Sequence, residues 1–206
     1  MTIPLKPAPI IAKPKSSNIT GLILAGGQAS RMQGQDKGLL TIKGTPFISV
    51  ITNRLAPQCK ALIINANRNI ETYAATGYPI AEDTLSGFQG PMAGMLSGLK
   101  TMNTEWMITV PCDGPFLEKN YVHSMAAAIS GDSVIAIAKA NGRFQPVYTL
   151  IHNSLLPSLE QYLSSGERKI DRWIFQHNCS EVDFSDTPGM FENINTPEQL
   201  DQINRD

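Results

Sequence analysis

A glycine pair followed by two basic side chains is the part of this sequence most suited to ligand binding or catalysis. Gly26 and Gly27 follow a largely apolar run, residues 19–24, with Ala25 between the run and the glycine pair. Arg31 and Lys37 follow in a segment with few bulky side chains. Glycine lets the backbone bring its N–H groups close to a ligand, and guanidinium and ammonium groups suit phosphate oxygens. This combination predicts a site for the phosphate groups of a nucleotide.

The spacing of these residues excludes the two commonest nucleotide-binding loops. A Walker A loop needs Gly-Lys followed by Ser or Thr, but here Lys37 precedes Gly38 and follows Asp36. A dinucleotide-binding loop has G-x-G-x-x-G at the start of a helix, and Gly26-Gly27 are instead followed by Gln28-Ala29-Ser30. A solvated turn is the simple alternative for a glycine pair alone. The two basic side chains behind a strand favour nucleotide binding.

Short apolar runs alternate with amphipathic stretches along most of the chain, which predicts a parallel sheet covered by helices on both faces. The predicted fold class is therefore α/β, a three-layer αβα sandwich with a mostly parallel, Rossmann-like sheet. Ligands bind such sheets outside the carboxyl ends of the strands. The strands are predicted over residues 19–24, 61–66, 78–81, 105–110, 133–138, 142–150, 181–184 and 191–193. The helices are predicted over residues 46–58, 91–102, 119–129, 154–163, 168–177 and from 197 onward, with Thr196 as the cap of the last one.

Length and charge restrict the class of protein. A chain of 206 residues suits one large domain, and a net charge of −1 provides no broad field for a nucleic acid or an anionic membrane. Residues 1–17, with four prolines and three lysines, are predicted to be a flexible tail before a single domain over residues 18–206. The three cysteines form no CxxC motif and no apolar run is long enough to span a membrane. We expect a soluble, cytoplasmic protein.

Several segments resemble one family. The first loop, LAGGxxxRMxxxDKxLL, is similar to the signature of GT-A-like nucleotidyltransferases. Further segments resemble, in the same order, those of the molybdenum cofactor guanylyltransferases, so that the resemblance spans residues 19–203. The chain departs from that family at Gln33, where a glycine usually follows Arg-Met; here Gly34 comes next. These further segments are INANRN (64–69), AEDTLSGFQGPMAGMLSGL (81–99), VPCDGPFL (110–117), GERK (166–169), VDFSD (182–186) and FENINTPEQL (191–200).

The resemblance implies that Asn65 and Asp83 help to recognise a guanine nucleotide, together with the backbone of residues 24–26, which are Leu24, Ala25 and Gly26. An acidic acceptor suits the N1–H and the exocyclic amine of guanine. Asn65 as a turn former and Asp83 as a helix cap are the alternatives. The resemblance also assigns Gly90 and Gly94 to the acceptor side of the cleft, where tight helix packing is the other explanation for the glycines.

A carboxylate in the middle of the chain is the predicted metal ligand. Asp113 follows an apolar strand and, facing a triphosphate, would ligate Mg²⁺, which takes few protein ligands. The alternative for Asp113 is a turn or a helix cap, since Gly114-Pro115 follow. Asn193 and Asn195 lie on the same side of an extended segment, where they would bind a ligand or complete the shell of the metal. Capping of the last helix is their alternative.

The activity implied by the resemblance is transfer of GMP from GTP to the terminal phosphate of molybdopterin carrying molybdenum, with release of pyrophosphate. Arg31, Lys37 and Asp113 are the predicted catalytic residues, and Asp113 must then face the two cations across one crevice. The expected ligands are GTP, Mg²⁺ and the molybdenum cofactor, with contact to proteins that deliver or receive it and none to nucleic acid or membrane. Transfer of CMP, another phosphate acceptor, or a non-catalytic nucleotide-binding regulator are the alternatives.

Overall fold

A seven-stranded sheet forms the centre of the protein, in a computed structural model that describes residues 11–27, 36–85 and 90–205. The strands of this sheet and of a small hairpin are β1 (Ile19–Leu24), β2 (Thr41–Ile42), β3 (Thr45–Pro46), β4 (Ala61–Asn65), β5 (Ile80–Ala81), β6 (Trp106–Pro111), β7 (Ile135–Ala140), β8 (Arg143–His152) and β9 (Cys179–Asp183). The helices are α1 (Phe47–Leu55), α2 (Ile70–Ala74), α3 (Pro91–Thr101), α4 (Tyr121–Ala127), α5 (Leu156–Ser164), α6 (Ile170–Ile174) and α7 (Pro197–Arg205).

The strand order in the sheet is β5-β4-β1-β6-β8-β7-β9. β8 is antiparallel to both of its neighbours, whereas the other neighbouring pairs are parallel. Leu24 pairs with Asn65 on one side and with Pro111 on the other, and Asn65 pairs in turn with Ala81. The carboxyl ends of four parallel strands therefore lie in one row at one edge of the sheet, which is where the predicted site residues follow.

Two hydrophobic cores, one on each face of the sheet, create the three layers. On β1, Ile19 and Ile23 pack with the buried side chains of α1 and α4. Leu22 and Leu24 point to the other face and pack with those of α3, α5 and α6. This alternation follows from the two-residue period of a strand. Each fully buried aliphatic side chain contributes about 1.5–3 kcal/mol. The predicted αβα sandwich with a mostly parallel sheet is confirmed.

Helix α3 lies unusually close to the sheet because glycines face it. A Cβ on Gly98 would come within 2.9 Å of the Met107 sulfur and 3.0 Å of a Leu22 methyl carbon, closer than packed atoms tolerate. Tight helix packing, the alternative given for Gly90 and Gly94 in the sequence, is what Gly98 of the same helix shows. The tight fit fixes the helix that starts directly beside the site.

Some predicted elements differ from those observed. The strand predicted over residues 191–193 is wrong: Phe191 ends a 3₁₀ helix, Pro188–Phe191, with Pro188 in its first turn, and residues 192–193 lie outside any helix or strand. The Phe191 ring instead packs edge-on against Tyr148 at a centroid distance of 4.8 Å. The hairpin of β2 and β3 was not predicted, although Lys43 and Gly44 at its turn both have positive φ, as a two-residue hairpin turn requires.

The segment before β1 contacts the sheet. The Trp106 indole donates a hydrogen bond to the carbonyl oxygen of Ala12 at 3.0 Å, and Pro14 is buried. The division into a tail over residues 1–17 and a domain over residues 18–206 stays a prediction, and residues 1–10 lie outside the described part. At the other end, Asn204 of α7 accepts a hydrogen bond from the Lys43 backbone N–H at 2.7 Å. Among the described residues, no helix has the length and apolarity needed to cross a membrane.

Candidate active site

A cavity of about 740 Å³ opens beyond the carboxyl ends of β1, β4 and β6. It lies at the row of strand ends described above, where an open α/β sheet usually binds its ligands. Of the predicted site residues, ten line it: Leu24, Ala25, Gly26, Gly27, Lys37, Asn65, Asp83, Gly90, Asp113 and Asn193. Arg31, Gln33 and Gly34 lie outside the described residues.

The structure brings Lys37 and Asp113 into direct contact, and we call Lys37, Asp113 and Asn195 the Lys37 site. The ammonium nitrogen Nζ of Lys37 lies 2.8 Å from Oδ2 of Asp113 and also donates to Oδ1 of Asn195. The two charged side chains are 19% and 15% exposed, so water screens the pair less than it would at the surface. The backbone N–H of Ile194 donates to the carbonyl oxygen of Asp113 at 3.0 Å, which ties this segment to the end of β6.

Amide side chains hold the second carboxylate of the cavity, and we call Asp83, Asn65 and Asn67 the Asp83 site. Asn65 Nδ2 donates to Oδ1 of Asp83 at 2.9 Å, and Asn67 Nδ2 donates to Oδ2 at 2.8 Å. The Asp83 backbone N–H returns a bond of 2.8 Å to Oδ1 of Asn67. Asn65 is the last residue of β4, and the residue before α3 is Gly90. The alternatives of a turn for Asn65 and a helix cap for Asp83 therefore do not describe these positions.

Glycines allow the backbone to approach the Asp83 site. A Cβ on Gly26 would lie 2.8 Å from Nδ2 of Asn67 and 2.9 Å from Oδ1 of Asn65. A Cβ on Gly94 would overlap Oδ1 of Asn65 and a methyl group of Leu24. Gly94 is thus buried behind Asn65 and is not among the residues that line the cavity. It packs against Asn65 and Leu24, and its assignment to the acceptor side stays a prediction.

Part of the backbone predicted to bind the nucleotide is already used within the sheet. The Ala25 N–H donates to the Asn65 carbonyl at 2.8 Å, and the Leu24 carbonyl accepts from the Cys112 N–H at 3.0 Å. Within the described ranges, no hydrogen bond is made by the N–H groups of Gly26 and Gly27. These two N–H groups therefore remain available as backbone donors to a ligand.

The end of the chain contributes the asparagines through a turn that stays close to the cavity. Asn193 lines the cavity, while Asn195 faces Lys37 and donates to the Asn193 carbonyl at 3.3 Å. The Thr196 hydroxyl accepts from the Gln199 N–H at 3.3 Å, and Gln199 accepts from the N–H groups of Asn195 and Thr196. This reciprocal cap confirms the prediction for Thr196. The helix needs neither asparagine side chain as its cap.

Sequence reasoning assigned no role to Asp36, which is the most heavily bonded carboxylate beside the cavity. Its side chain is 4% exposed. Oδ1 accepts from the Tyr73 hydroxyl at 2.6 Å and from the Gly38 N–H at 3.3 Å. Oδ2 accepts from Asn69 at 3.0 Å and lies 3.3 Å from Nε of Arg68. The adjacent letters Asp-Lys in the first-loop motif were the available signal for Asp36.

Two buried groups beside Asp113 remain protonated at neutral pH. Burial raises the pKa of the Cys112 thiol, so this cavity-lining cysteine is a poor nucleophile. Burial, followed by the charge of Asp113, raises the pKa of the Tyr148 hydroxyl. A Cβ on Gly114 would overlap this hydroxyl, so glycine lets the chain after Asp113 lie directly on the ring.

The described lining of the cavity is not strongly positive. Lys37 and Arg68 are its two cations, against the carboxylates of Asp36, Asp83 and Asp113. A triphosphate carries about four negative charges, and each close cation–phosphate contact is worth about 1 kcal/mol in bulk water and several times more in a partly dry cleft. The described residues alone therefore leave such a ligand short of positive charge.

Comparison with known proteins identifies the family. Residues 21–182 match the model of the MobA-like NTP transferase domain. The chain belongs to this family. A molybdenum cofactor guanylyltransferase from Shewanella loihica is 44% identical over 189 residues, which cover 91% of this chain and 96% of the relative. One from Cupriavidus pinatubonensis is 46% identical over 189 residues, covering 89% and 94%. The chain is thus a nucleotidyltransferase, and the family resemblance read from its motifs is confirmed.

Solved structures of proteins whose names specify different nucleotides share the fold of this chain. The molybdopterin-guanine dinucleotide biosynthesis protein A from Archaeoglobus fulgidus matches with a TM-score of 0.74 at 19% identity, covering 90% of this chain and 97% of that one. The 4-diphosphocytidyl-2C-methyl-D-erythritolsynthase from Anaerococcus prevotii matches with a TM-score of 0.71 at 13% identity, covering 93% and 98%. The fold is shared between proteins whose names specify different bases, so the choice of base must be argued from side chains.

Proposed function

We propose that this nucleotidyltransferase transfers GMP from GTP to the terminal phosphate of molybdopterin carrying molybdenum and releases pyrophosphate. The names of the relatives above support the substrate pair, and the cavity supports the reaction type. The observation that carries the proposal is the contact of Lys37 with Asp113, because it joins a mobile cation to a potential metal ligand at the carboxyl ends of the strands. Contact with proteins that deliver or receive the cofactor, in the cytoplasm, belongs to the same proposal.

Recognition of guanine is assigned to the Asp83 site. A carboxylate has about four lone-pair positions, so after accepting from Asn65 and Asn67 its two oxygens can still accept from N1–H and the exocyclic amine of guanine. Adenine has an acceptor at N1, and cytosine has one at N3, so these bases place a lone pair against the carboxylate. The two asparagines hold Asp83 in place before the nucleotide arrives, which lowers the entropy cost of binding.

The residues present suit Mg²⁺. Asp113 supplies one carboxylate, and Asn193 and Asn195 supply nearby amide oxygens, which are hard ligands of the kind that Mg²⁺ prefers. Among the described residues, no group of three or more His, Cys, Asp or Glu could hold a metal ion, so water and nucleotide oxygens would complete the shell. The charge of the described lining gives a second reason for an added cation. When bound, Mg²⁺ would neutralise phosphate charge that develops during the transfer.

The chemistry requires positioning more than proton transfer. An ionised oxygen of the acceptor phosphate attacks the α-phosphorus of GTP, and the bond from that phosphorus to the bridging oxygen of pyrophosphate breaks in line. A phosphate monoester is largely doubly ionised near pH 7, so the attacking oxygen needs no general base. Lys37 exchanges Asp113 for the phosphates and stabilises their charge. Gly26 and Gly27 offer N–H groups to the same oxygens, and Arg31 is the second proposed cation.

The acceptor is assigned to the part of the cavity lined by Gly90 and Asn193. Gly90 and Asn193 line the cavity, and Asn195 reaches Lys37 beside it. Gly90 has φ of 75° before the first turn of α3, a conformation that favours glycine and leaves open space where a side chain would project. A bulky acceptor can therefore approach the α-phosphate on that side.

Pyrophosphate release tests the proposal directly. Purified protein is incubated with Mg²⁺, molybdopterin carrying molybdenum, and GTP, CTP, UTP or ATP in turn, and pyrophosphate and the dinucleotide product are measured. We expect release with GTP that depends on the acceptor. Release with CTP alone would instead indicate cytidylyl transfer. Nucleotide binding by calorimetry without release from any of the four would indicate a regulator.

A further inference from the structure

One short segment of the chain contacts two carboxylates that line the cavity, Asp36 and Asp83. Asn65 and Asn67 donate to the two oxygens of Asp83, while Arg68 and Asn69 contact Oδ2 of Asp36. We call residues 65–69 the linking segment. Asn69, with φ of 50°, turns the chain so that α2 can begin at the next residue. Two partners of each carboxylate therefore sit on one continuous piece of backbone.

Asp36 fixes the backbone on which Lys37 stands. Its Oδ1 accepts from the Gly38 N–H at 3.3 Å and its carbonyl oxygen accepts from the Leu39 N–H at 3.0 Å, so it caps the single 3₁₀ turn Lys37–Leu39. The main chain is thereby held on both sides of the lysine Cα. The lysine side chain extends from this point to Asp113 and Asn195.

Tyr73 holds Asp36 from the buried core of the protein. The Tyr73 side chain is fully buried, and its hydroxyl donates to Oδ1 of Asp36 at 2.6 Å. Burial raises the pKa of this hydroxyl, so it remains a donor throughout the physiological range. A Cβ on Gly38 would overlap the same hydroxyl, which shows how closely the turn lies on the tyrosine. A buried carboxylate with three hydrogen-bond donors and an arginine beside it is costly to disturb, because any partner that is removed leaves charge less well paired.

We propose that Asp36 is a positioning residue that places Lys37 for the transfer, and that the linking segment couples this placement to occupation of the Asp83 site by the base. The inference rests on the proposed function, since it assigns the base to Asp83 and the phosphates to Lys37. A base that makes all of its hydrogen bonds to Asp83 fixes the positions of Asn65 and Asn67. The same backbone then holds Arg68 and Asn69 against Asp36. A base that lacks one donor leaves the segment and the lysine less well placed.

Two variants test the positioning role. Asp36→Asn places an amide where Oδ2 now meets Arg68 and Asn69, and Tyr73→Phe removes one hydrogen bond while the ring stays packed. We expect kcat with GTP to fall about 30-fold and about tenfold respectively, with KM for GTP changed less than about threefold, because the lost interaction acts in the transition state. Tyr121→Phe is the matched control: its hydroxyl, also fully buried, donates to the Thr109 carbonyl at 3.2 Å, and its kcat should equal that of the wild type.

Inosine triphosphate tests the coupling, because hypoxanthine lacks the exocyclic amine of guanine. We expect the wild-type protein to show kcat about tenfold lower with this nucleotide than with GTP, the loss of one hydrogen bond to a charged acceptor. In Asp36→Asn the ratio should shrink to about threefold or less. Unchanged kcat in both variants, with only lower melting temperatures, would show that the network is structural and would overturn the proposal.

A binding measurement separates this proposal from the proposed function. The lysines are reductively ¹³C-methylated, and the Lys37 resonance, assigned by its absence in Lys37→Arg, is followed as GTP and Mg²⁺ are added. We expect a discrete shift in the wild-type protein and a broadened, smaller one in Asp36→Asn. If no variant releases pyrophosphate, the proposed function fails, and the resonance still decides the role of Asp36. Identical shifts in both proteins would rule that role out.

Discussion

The Lys37 site and the Asp83 site face the same cavity but are built by different physical means. Lys37 is held by an ion pair and one amide oxygen, each of which a phosphate or a metal ion can replace. Asp83 is held by neutral amides from the linking segment, and Asn65 is buried at 2% exposure. We expect the first arrangement to rearrange when substrate arrives, whereas the second is formed without it. Rearranging charge suits the catalytic step, and a fixed acceptor suits the choice of base.

The largest effect is expected from breaking the charge at the Lys37 site. Asp113→Ala removes the predicted metal ligand and the partner of Lys37, so kcat for pyrophosphate release should fall about 10³-fold, in the range found when one electrostatic group is lost. Asp186→Ala, at an exposed position, is the control and should keep wild-type turnover. Circular dichroism should show an intact fold in both proteins. Turnover near the wild-type value in Asp113→Ala would remove its metal assignment.

Removing the cation itself should have the next largest effect. Lys37→Met keeps most of the length of the side chain and deletes its charge, so we expect kcat to fall about 10²-fold and KM for GTP to rise. Lys100→Met tests the general effect of losing a lysine, because Lys100 is 40% exposed and pairs with Glu160 on the outer surface. Steady-state kinetics of the two proteins make the comparison. Equal rates would mean that Lys37 does not meet the phosphates.

A substitution at the Asp83 site should alter the choice of nucleotide. Asp83→Asn turns one acceptor into a donor, and we expect the Kd for GTP to rise about tenfold and kcat to fall by up to about tenfold, as for a base that lacks one contact with this site. Titration calorimetry with GTP and ATP measures the discrimination, which should shrink. The exposed carboxylate of Glu82, next in sequence, provides the control Glu82→Gln. Unaltered discrimination would place the base elsewhere in the cavity.

The smallest effect on catalysis is expected from a substitution in α3, at Gly94, which packs against Asn65 of the Asp83 site. Gly94→Ala forces a methyl group against Asn65 and Leu24, and we expect a stability loss of about 1–3 kcal/mol with a modest rise in KM for GTP. Gly189→Ala has open space around the added methyl and should leave both quantities unchanged. Urea unfolding and steady-state kinetics measure them. A rise in KM for the acceptor alone would instead support the acceptor-side placement of Gly94.

The sequence predicted the structure well where a local pattern has one main structural consequence, as an apolar run bounded by glycines does. The apolar run before Gly26 gave β1 with its bounds as predicted, and parallel strand ends meet at one edge, so Lys37 and Asp113 were expected near each other and are in contact. Asp36 could not be assigned because its partners, among them Arg68 and Tyr73, come from a later segment and only the fold brings them together. The helix α2 is too short to produce a clear periodic pattern.

The last helix contacts the hairpin of β2 and β3, and the turn that leads into this helix reaches Lys37. Asn204 of α7 bonds to the hairpin of β2 and β3, and Asn195, just before α7, bonds to Lys37. When phosphates draw the lysine away from Asn195, the turn that leads into α7 loses one of its attachments while the other end of the helix stays fastened. Amide hydrogen exchange in the first turn of α7 should therefore speed up on nucleotide binding, so that this helix, far in sequence from the glycine pair, reports when the cavity is filled.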